Sequence, residues 1–425
     1  MAELSPGQHY YRATSAAADY PAIEGRADYA ICIIGGGFAG LATALSLMER
    51  GQADVVLLEA DTIGFGASGR NGGFVFGGFS LGERHLVGAA GVPEARKLYQ
   101  LTLDALAAIR RRIRRYGIDC DMREDGVYLA NWFGDQRILD RQQRFMADSL
   151  GVEWQRIGRG ELAGRLLTER YSGALFEPGA FHFHPLKYAR GLARALAGGG
   201  IRVHEQSRVS QVARAGKGWR VTTARGEVRA REVVLCCGGY LERLSPKLAG
   251  AMLPIATYVM VTEALGARMH AALRTGAAVY DTRFAFDYYR PLVDTRLLWG
   301  GRISVRDRAA GAVARLLYRD MLRVYPQLAG VKVDYAWSGM MSYGRHKMPQ
   351  LGRLADGQWY GMGFGGHGVG PTTLAGEVLA AAMCGDGAGL ARFARWKLPA
   401  TGGPAGLFAA QLTYWYYALR DRLRE

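Results

Sequence analysis

The chain has 425 residues, 49% of them hydrophobic, and a formal net charge of +16. That is enough apolar material for two domains or one two-lobed unit, yet no run of eighteen apolar residues occurs, so no membrane span is expected. Five cysteines without framework spacing, and an N-terminus with no apolar stretch, predict reduced thiols, no secretory signal and a cytoplasmic protein.

Residues 1–27 are polar and aromatic without a period and read as an arm lying on the surface. Tyr29 to Ile34 is a short apolar run suited to a buried parallel strand. A glycine turn follows, then a helical pattern to Arg50 stopped by Gly51, then a second buried strand, "DVVLLEA", ending at Glu59. A long helix is predicted from Pro93 to Tyr116, with Leu98, Leu101, Ala105 and Ile109 on one face. It ends in "RRRIRRYG", the densest basic run. Cations suit a solvated helix C-terminus, where the dipole is negative. The charge excess is almost wholly arginine in a chain rich in alanine and glycine, a bias that a GC-rich gene produces, so no nucleic-acid partner is expected. "HPLKYARGLARALAGGG" reads as a helix with a glycine stop. A meander and a returning buried strand, "EVVLCCGG", come next. "AMLPIATYVMVTEAL", "FAFDYYRPL" and "TRLLWGGR" read as strands of a second, more aromatic sheet. "QWYGMGFGGHGVGPTTLAGEVLAAAMCGD" is strand, glycine loop and helix, and the last twenty residues form an amphipathic helix.

Three constellations carry chemistry. The first is Gly35-x-Gly37-x-x-Gly40 between a strand and a helix, with Glu59 at the end of the next strand. The first glycine permits the tight turn, the second lets backbone approach a pyrophosphate, and the third lets helix and strand pack closely. The helix N-terminus offers partial positive charge to phosphates. Glu59 is placed to accept a ribose hydroxyl, so a dinucleotide with an unphosphorylated adenosine ribose is expected. The second is "GFGASGRNGG", Gly64 to Gly73. A nicotinamide enzyme passes from its acidic residue into ordinary α/β units, whereas an extended FAD needs a second bare surface along its ribityl chain and flavin edge. The third is "GMGFGGHGVG", Gly361 to Gly370, which delivers a helix N-terminus near Val369. There a positive dipole would stabilise a reduced, anionic flavin.

With these pieces, and with "FHFHPLKYA", "FDYYRPLVDTRLLWGGR", "MPQLGRL" and the terminal "YYALRDRL", nearly the whole chain resembles the FAD-dependent D-amino-acid oxidase superfamily, and within it the bacterial γ-glutamylputrescine oxidases. The resemblance implies an α/β fold. It has a Rossmann-like FAD-binding domain of the glutathione-reductase type and an α+β substrate domain with a mixed antiparallel sheet. The expected division is an N-terminal arm (1–27), a discontinuous FAD domain (28–90, 151–251 and 336–400), a substrate domain (91–150 and 252–335) and a C-terminal helix (401–425). FAD contacts are implied at Gly35, Gly36, Gly37, Phe38, Ala39 and Gly40, and at Glu59 and Ala60. They continue at Ala67, Ser68, Gly69, Arg70, Asn71, Gly72 and Gly73, then at Val209 and Gly238. The last group is Gly363, Phe364, Gly365, Gly366, His367, Gly368 and Val369. Neither the cysteine nor the histidine that tethers flavin in some relatives is present, so non-covalent FAD is expected. Leu298 falls near the position of a lysine that activates oxygen in some relatives, which leaves O2 or another electron acceptor open.

The activity implied is oxidation of a C–N bond in an amine or amino acid by hydride transfer to flavin N5, the imine then hydrolysing. Tyr258, Tyr289, Arg290, Trp337 and His367 are the candidate catalytic residues, with Arg290 or Arg302 suited to a substrate carboxylate. Strand alternation puts Tyr288 and Tyr289 on opposite faces, one toward a site and one in the core. His182 and His184 lack a third ligand, and no metal is expected. Two other readings are a flavin-dependent tRNA-modification enzyme and a flavin-holding subunit without catalysis.

Overall fold

The computed structural model describes residues 9–425. Its first sheet is built on the strand Gly25–Ile34, flanked in parallel by Val55–Leu58 and Gly226–Leu235. Arg202–His204 extends it on one side, and Trp359–Met362 with the antiparallel Gln350–Arg353 on the other. Val55, Val56, Leu57 and Leu58 are all buried, as parallel strands covered on both faces must be. The helices Phe38–Glu49 and Val369–Met383 pack against each other over this sheet. A Cβ on Gly376 would lie 2.5 Å from the Ala42 carbonyl carbon, so glycine sets their close approach. The antiparallel meander Val209–Ala215 and Gly218–Thr223 hangs from Gly226–Leu235.

The second sheet runs Val333–Gly344, Met252–Thr262, Leu297–Ser304, Asp287–Pro291, Ala278–Asp281, Val127–Ala130, Ala174–Glu177, Gln155–Ile157. All its neighbours are antiparallel except Ala278–Asp281 beside Val127–Ala130. One face is sealed by the helix Ala310–Val324, whose Val313, Leu317 and Met321 share a core with Tyr258, Tyr289 and Trp299.

Several expectations change. The strands Gln155–Ile157, Ala174–Glu177 and Val333–Gly344 pair in the second sheet, although the expected boundaries at 151 and 336 put most of their residues with the nucleotide-binding part. The long helix, observed as Val92–Arg115, packs on Val369–Met383 and so joins the helical layer of the first sheet. In the basic run Arg112 is internal, 1% exposed, and holds Glu49 (2.7 Å) and Glu377. Arg110 pairs with Glu124, so the run is partly an intramolecular tie. Residues 1–8 of the expected arm lie outside the described residues. Of the rest, residues 12–22 do lie at the surface, exposed or half-buried, while Tyr10 and Tyr11 are buried against Val259, Val261, Leu298 and Trp337. The terminal helix, Gly403–Leu423, is tied down where Asp421 accepts the N–H groups of Phe284 and Ala285.

Candidate active site

A cavity of about 1420 Å³ runs from the turn after Gly25–Ile34, between the two sheets, to the terminal helix. It exceeds the roughly 300–1,000 Å³ of ordinary ligand pockets, leaving room for a dinucleotide and a second molecule. Gly35, Gly37, Phe38 and Ala39 line its inner end. Gly35 has φ +114°, and a Cβ there would stand 2.6 Å from the Cys236 carbonyl oxygen. Gly40 does not line the cavity; its Cβ would run into the Gly35 oxygen, so its role is helix-to-turn packing. Glu59 lines the cavity with Ala60. Its carboxylate accepts the Gly36 N–H at 2.6 Å and the Asp61 N–H at 2.9 Å. Burial pushes the Glu59 carboxyl above its ordinary range, and these two N–H groups counter the shift.

The second glycine stretch is laced to itself and to the first. Ser68 Oγ accepts the Phe38 N–H (2.8 Å), one of the orphan donors of a helix N-terminus. Asn71 Nδ2 donates to the carbonyls of Ala67 and Ser68, and its Oδ1 accepts the Gly73 N–H. Arg70 lies over the Phe65 ring and donates to the carbonyls of Phe65 and Ser338. Ala67, Ser68, Arg70, Asn71 and Gly72 line the cavity. Gly69 and Gly73 do not, because the protein's own backbone takes their space: a Cβ would collide with the oxygens of Gly64 and Phe183 respectively. The bareness of this loop therefore has two causes, an open cavity on one side and crowded protein on the other.

In the third element, Gly363 turns away with φ +76° and donates its N–H to Ser342 Oγ. Phe364, Gly365, Gly366, His367, Gly368 and Val369 line the cavity, as do Val209 and Gly238. Gly36, like Gly363, stays behind the wall. His367 Nε2 is 3.2 Å from the Phe76 carbonyl, and its main-chain N–H donates to Ser80 Oγ at 3.0 Å. Burial lowers its pKa to about 4, so the ring is neutral at pH 7. Its ring N–H is thus engaged in holding the loop.

The other four candidate catalytic residues are not at the cavity. Tyr289 is fully buried on the helix-covered face, stacked on Trp299 at 4.4 Å and sharing a hydrogen bond with Tyr325. Tyr258 donates to the Arg306 carbonyl inside the same core. Trp337 donates to the Arg70 carbonyl from among the buried residues of the arm. Arg290, 2% exposed, is occupied by the carbonyls of Gly72 (2.6 Å) and Phe183 (2.8 Å) and by the Tyr11 hydroxyl. It braces the glycine loop from behind and has no fork to offer a substrate. Arg302 does line the cavity, with its fork taken by Asp320. Leu298 is buried against Val259 and Trp337, away from the cavity. The cavity wall beyond the loop is instead made by Phe74, Phe76, Tyr280, Phe286 and Tyr288. Part of their signal was in the sequence: "FVF" places Phe74 and Phe76 on alternate residues, hence on one face, whereas Phe286 comes from a turn and Tyr280 from a separate strand.

Residues 30–382 match the family described as FAD dependent oxidoreductase (DAO). The chain belongs to this FAD-dependent oxidoreductase family. It is 37% identical over 408 residues to Gamma-glutamylputrescine oxidoreductase of Escherichia coli K12, covering 92% of this chain and 93% of the relative. It is 32% identical to Probable oxidoreductase OrdL of Haemophilus influenzae, covering 93% and 92%. Glycine oxidase from Geobacillus kaustophilus shares its fold, with a TM-score of 0.70, 22% identity and coverage of 88% of this chain and 98% of that one.

As a member of that family the chain uses FAD, and its residues fit the cofactor. Gly37 brings bare backbone to the cavity beside the helix N-terminus, where a Cβ would lie 3.0 Å from Ser68 Oγ. The Glu59 carboxylate stands at the same end. The start of Val369–Met383 also faces the cavity, with Gly370 and Thr372 lining it. These groups would hold phosphate, ribose and flavin ring respectively.

Proposed function

We propose that this enzyme oxidises the C–N bond of a small aliphatic amine or amino-acid-like donor, with a γ-glutamylated amine as the leading substrate class. The observation that carries this reading is near full-length similarity to Gamma-glutamylputrescine oxidoreductase, combined with an aromatic wall facing the glycine loops. Bound FAD supplies the two-electron acceptor for a hydride leaving the carbon next to nitrogen. The protein's part is to orient and to exclude water. The neutral amine is the reacting form, because its lone pair assists hydride departure. The N-terminus of Val369–Met383 offers positive potential where negative charge grows. The imine product then hydrolyses to a carbonyl compound and ammonia or an amine. No dedicated base is assigned, and the acceptor that reoxidises the flavin is O2 or another oxidant.

A cytoplasmic location belongs to the same reading; among the described residues no helix is long and apolar enough to cross a membrane. The tRNA-modification reading keeps only part of its sequence support: Arg110 and Arg112 of the basic run are paired internally, while Arg111, Arg114 and Arg115 lie exposed. The test is product analysis: incubation with a panel of amines, γ-glutamylated amines and amino acids, scored for carbonyl product, ammonia and peroxide. The reading predicts an aldehyde from a γ-glutamylated diamine. Turnover of amino acids alone would move the substrate class, and turnover of nothing in the panel would overturn it.

A further inference from the structure

Five aromatic rings close a circuit on the cavity wall. Phe74 and Phe76 leave the glycine loop on alternate positions, while Tyr280, Phe286 and Tyr288 come from adjacent strands of the second sheet and the turn between them. Neighbouring centroids are 6.2 Å apart for Phe74 and Phe76, then 5.4 Å to Tyr280 and 6.1 Å to Phe286. Tyr288 follows at 6.3 Å and lies 5.5 Å from Phe74, which completes the ring. Four of the five neighbours are turned 53–83° from each other, as walls around a space are; only Phe76 and Tyr280 stack, at 7°.

The rings are held in place yet open. Tyr288 is seated between two glycines: a Cβ on Gly72 would stand 2.5 Å from its ring, and one on Gly300 would collide with it. None of the five is fully buried, all line the cavity, and Phe286 is 41% exposed without belonging to any core cluster. Five centroids spaced like this around a circuit put its centre within roughly 6 Å of each, the range in which an aromatic ring attracts a cation. Behind Phe76 and Tyr280 lie two carboxyls that burial pushes toward the neutral acid, so they put no cation there. The Gly77 N–H points to Glu177 Oε1 at 3.5 Å, and Glu83 approaches the adjacent Gly78. His367, whose ring packs on Phe76 at 4.2 Å, is neutral and does not oppose a cation.

We propose that Phe74, Phe76, Tyr280, Phe286 and Tyr288 form an aromatic cage that receives the alkylammonium group of the donor amine. The proposal deepens the amine-oxidation reading and rests on it. The faces favour the charge, and the edges give apolar contact to the methylenes that carry it. Recognition in the charged form precedes loss of the ammonium proton to solvent water, so a quaternary ammonium, which cannot lose a proton, tests binding apart from chemistry.

The experiment titrates FAD-loaded enzyme with choline and with its uncharged isostere, 3,3-dimethylbutan-1-ol, following the visible spectrum of the bound flavin. The cage predicts that choline binds about three- to thirtyfold more tightly than the isostere. It predicts that Phe286→Leu, at an exposed rim position, weakens choline about threefold or more with FAD content and isostere binding unchanged. Tyr280→Leu should do the same. Equal affinity for the two probes, no binding of choline, or indifference of choline to both variants overturns the cage. Preference for choline with no amine able to reduce the flavin keeps the cage and removes the amine-oxidation reading. Reduction by amines without preference for choline does the reverse.

Discussion

Glu177 ends the strand Ala174–Glu177, is 6% exposed, and among the described residues its carboxyl has the Gly77 N–H as its one hydrogen-bond partner. Burial, reinforced by nearby Glu83, pushes its carboxyl up to about 8 from an ordinary 4.5, against a smaller opposing pull from Gly77. In the unfolded chain the group ionises near 4.5, while the folded protein keeps its proton to about 8. Between those values the unfolded state binds fewer protons, so this residue's contribution to stability falls as pH rises and is fully lost above pH 8. At 1.36 kcal/mol per unit the loss is on the order of 3–5 kcal/mol. Glu177→Gln keeps an acceptor for Gly77 and cannot titrate. The variant should match wild type in thermal stability near pH 4.5 and exceed it by several degrees at pH 8. The assay is the melting temperature of the FAD-loaded protein across pH 4.5–8.5. Parallel curves for the two proteins over that window would refute a protonated Glu177.

Gly40→Ala places a Cβ on the Gly35 oxygen, so the turn must move; the ratio of flavin to protein absorbance after purification should drop sharply. Arg290→Met leaves the carbonyls of Gly72 and Phe183 without their donor and should cost about 2–5 kcal/mol, seen as lower melting temperature and FAD retention. The KM of the remaining holoenzyme should be unchanged; a large rise in KM with intact stability would return Arg290 to the substrate site. For His367→Ala, the bond to Phe76 predicts poorer FAD retention with near-normal flavin reduction in stopped flow. A hundredfold slower reduction with full FAD content would instead assign the ring a direct role.

Much of the cofactor end was legible because it rests on backbone requirements that show in sequence. Gly35 needs a left-handed φ, Gly40 needs no Cβ, and Glu59 must end the second strand. The substrate end was not, because facing depends on partners distant in the chain. Alternation separated Tyr288 from Tyr289, but only the packing of Ala310–Val324 decides which face is core, and it takes Tyr289. Arg290 shares the face of Tyr288, yet the glycine loop crosses over it, which no local pattern announces. Tyr10 and Tyr11 carry no period; they are buried by the second sheet and not by an amphipathic element of their own. The strand Ala174–Glu177 is four residues long, too short for its pattern to say which sheet it joins.

The central claim is that the cavity brings an amine to bound FAD. Its most direct test is anaerobic mixing of the purified FAD-loaded protein with a γ-glutamylated diamine, the free diamine and a set of amino acids. Loss of the oxidised flavin's visible absorbance is the readout. The account predicts full bleaching by an amine donor, fastest with the γ-glutamylated diamine, and restoration of colour when an acceptor is admitted. A flavin that none of these donors bleaches, while dithionite reduces it readily, would contradict it.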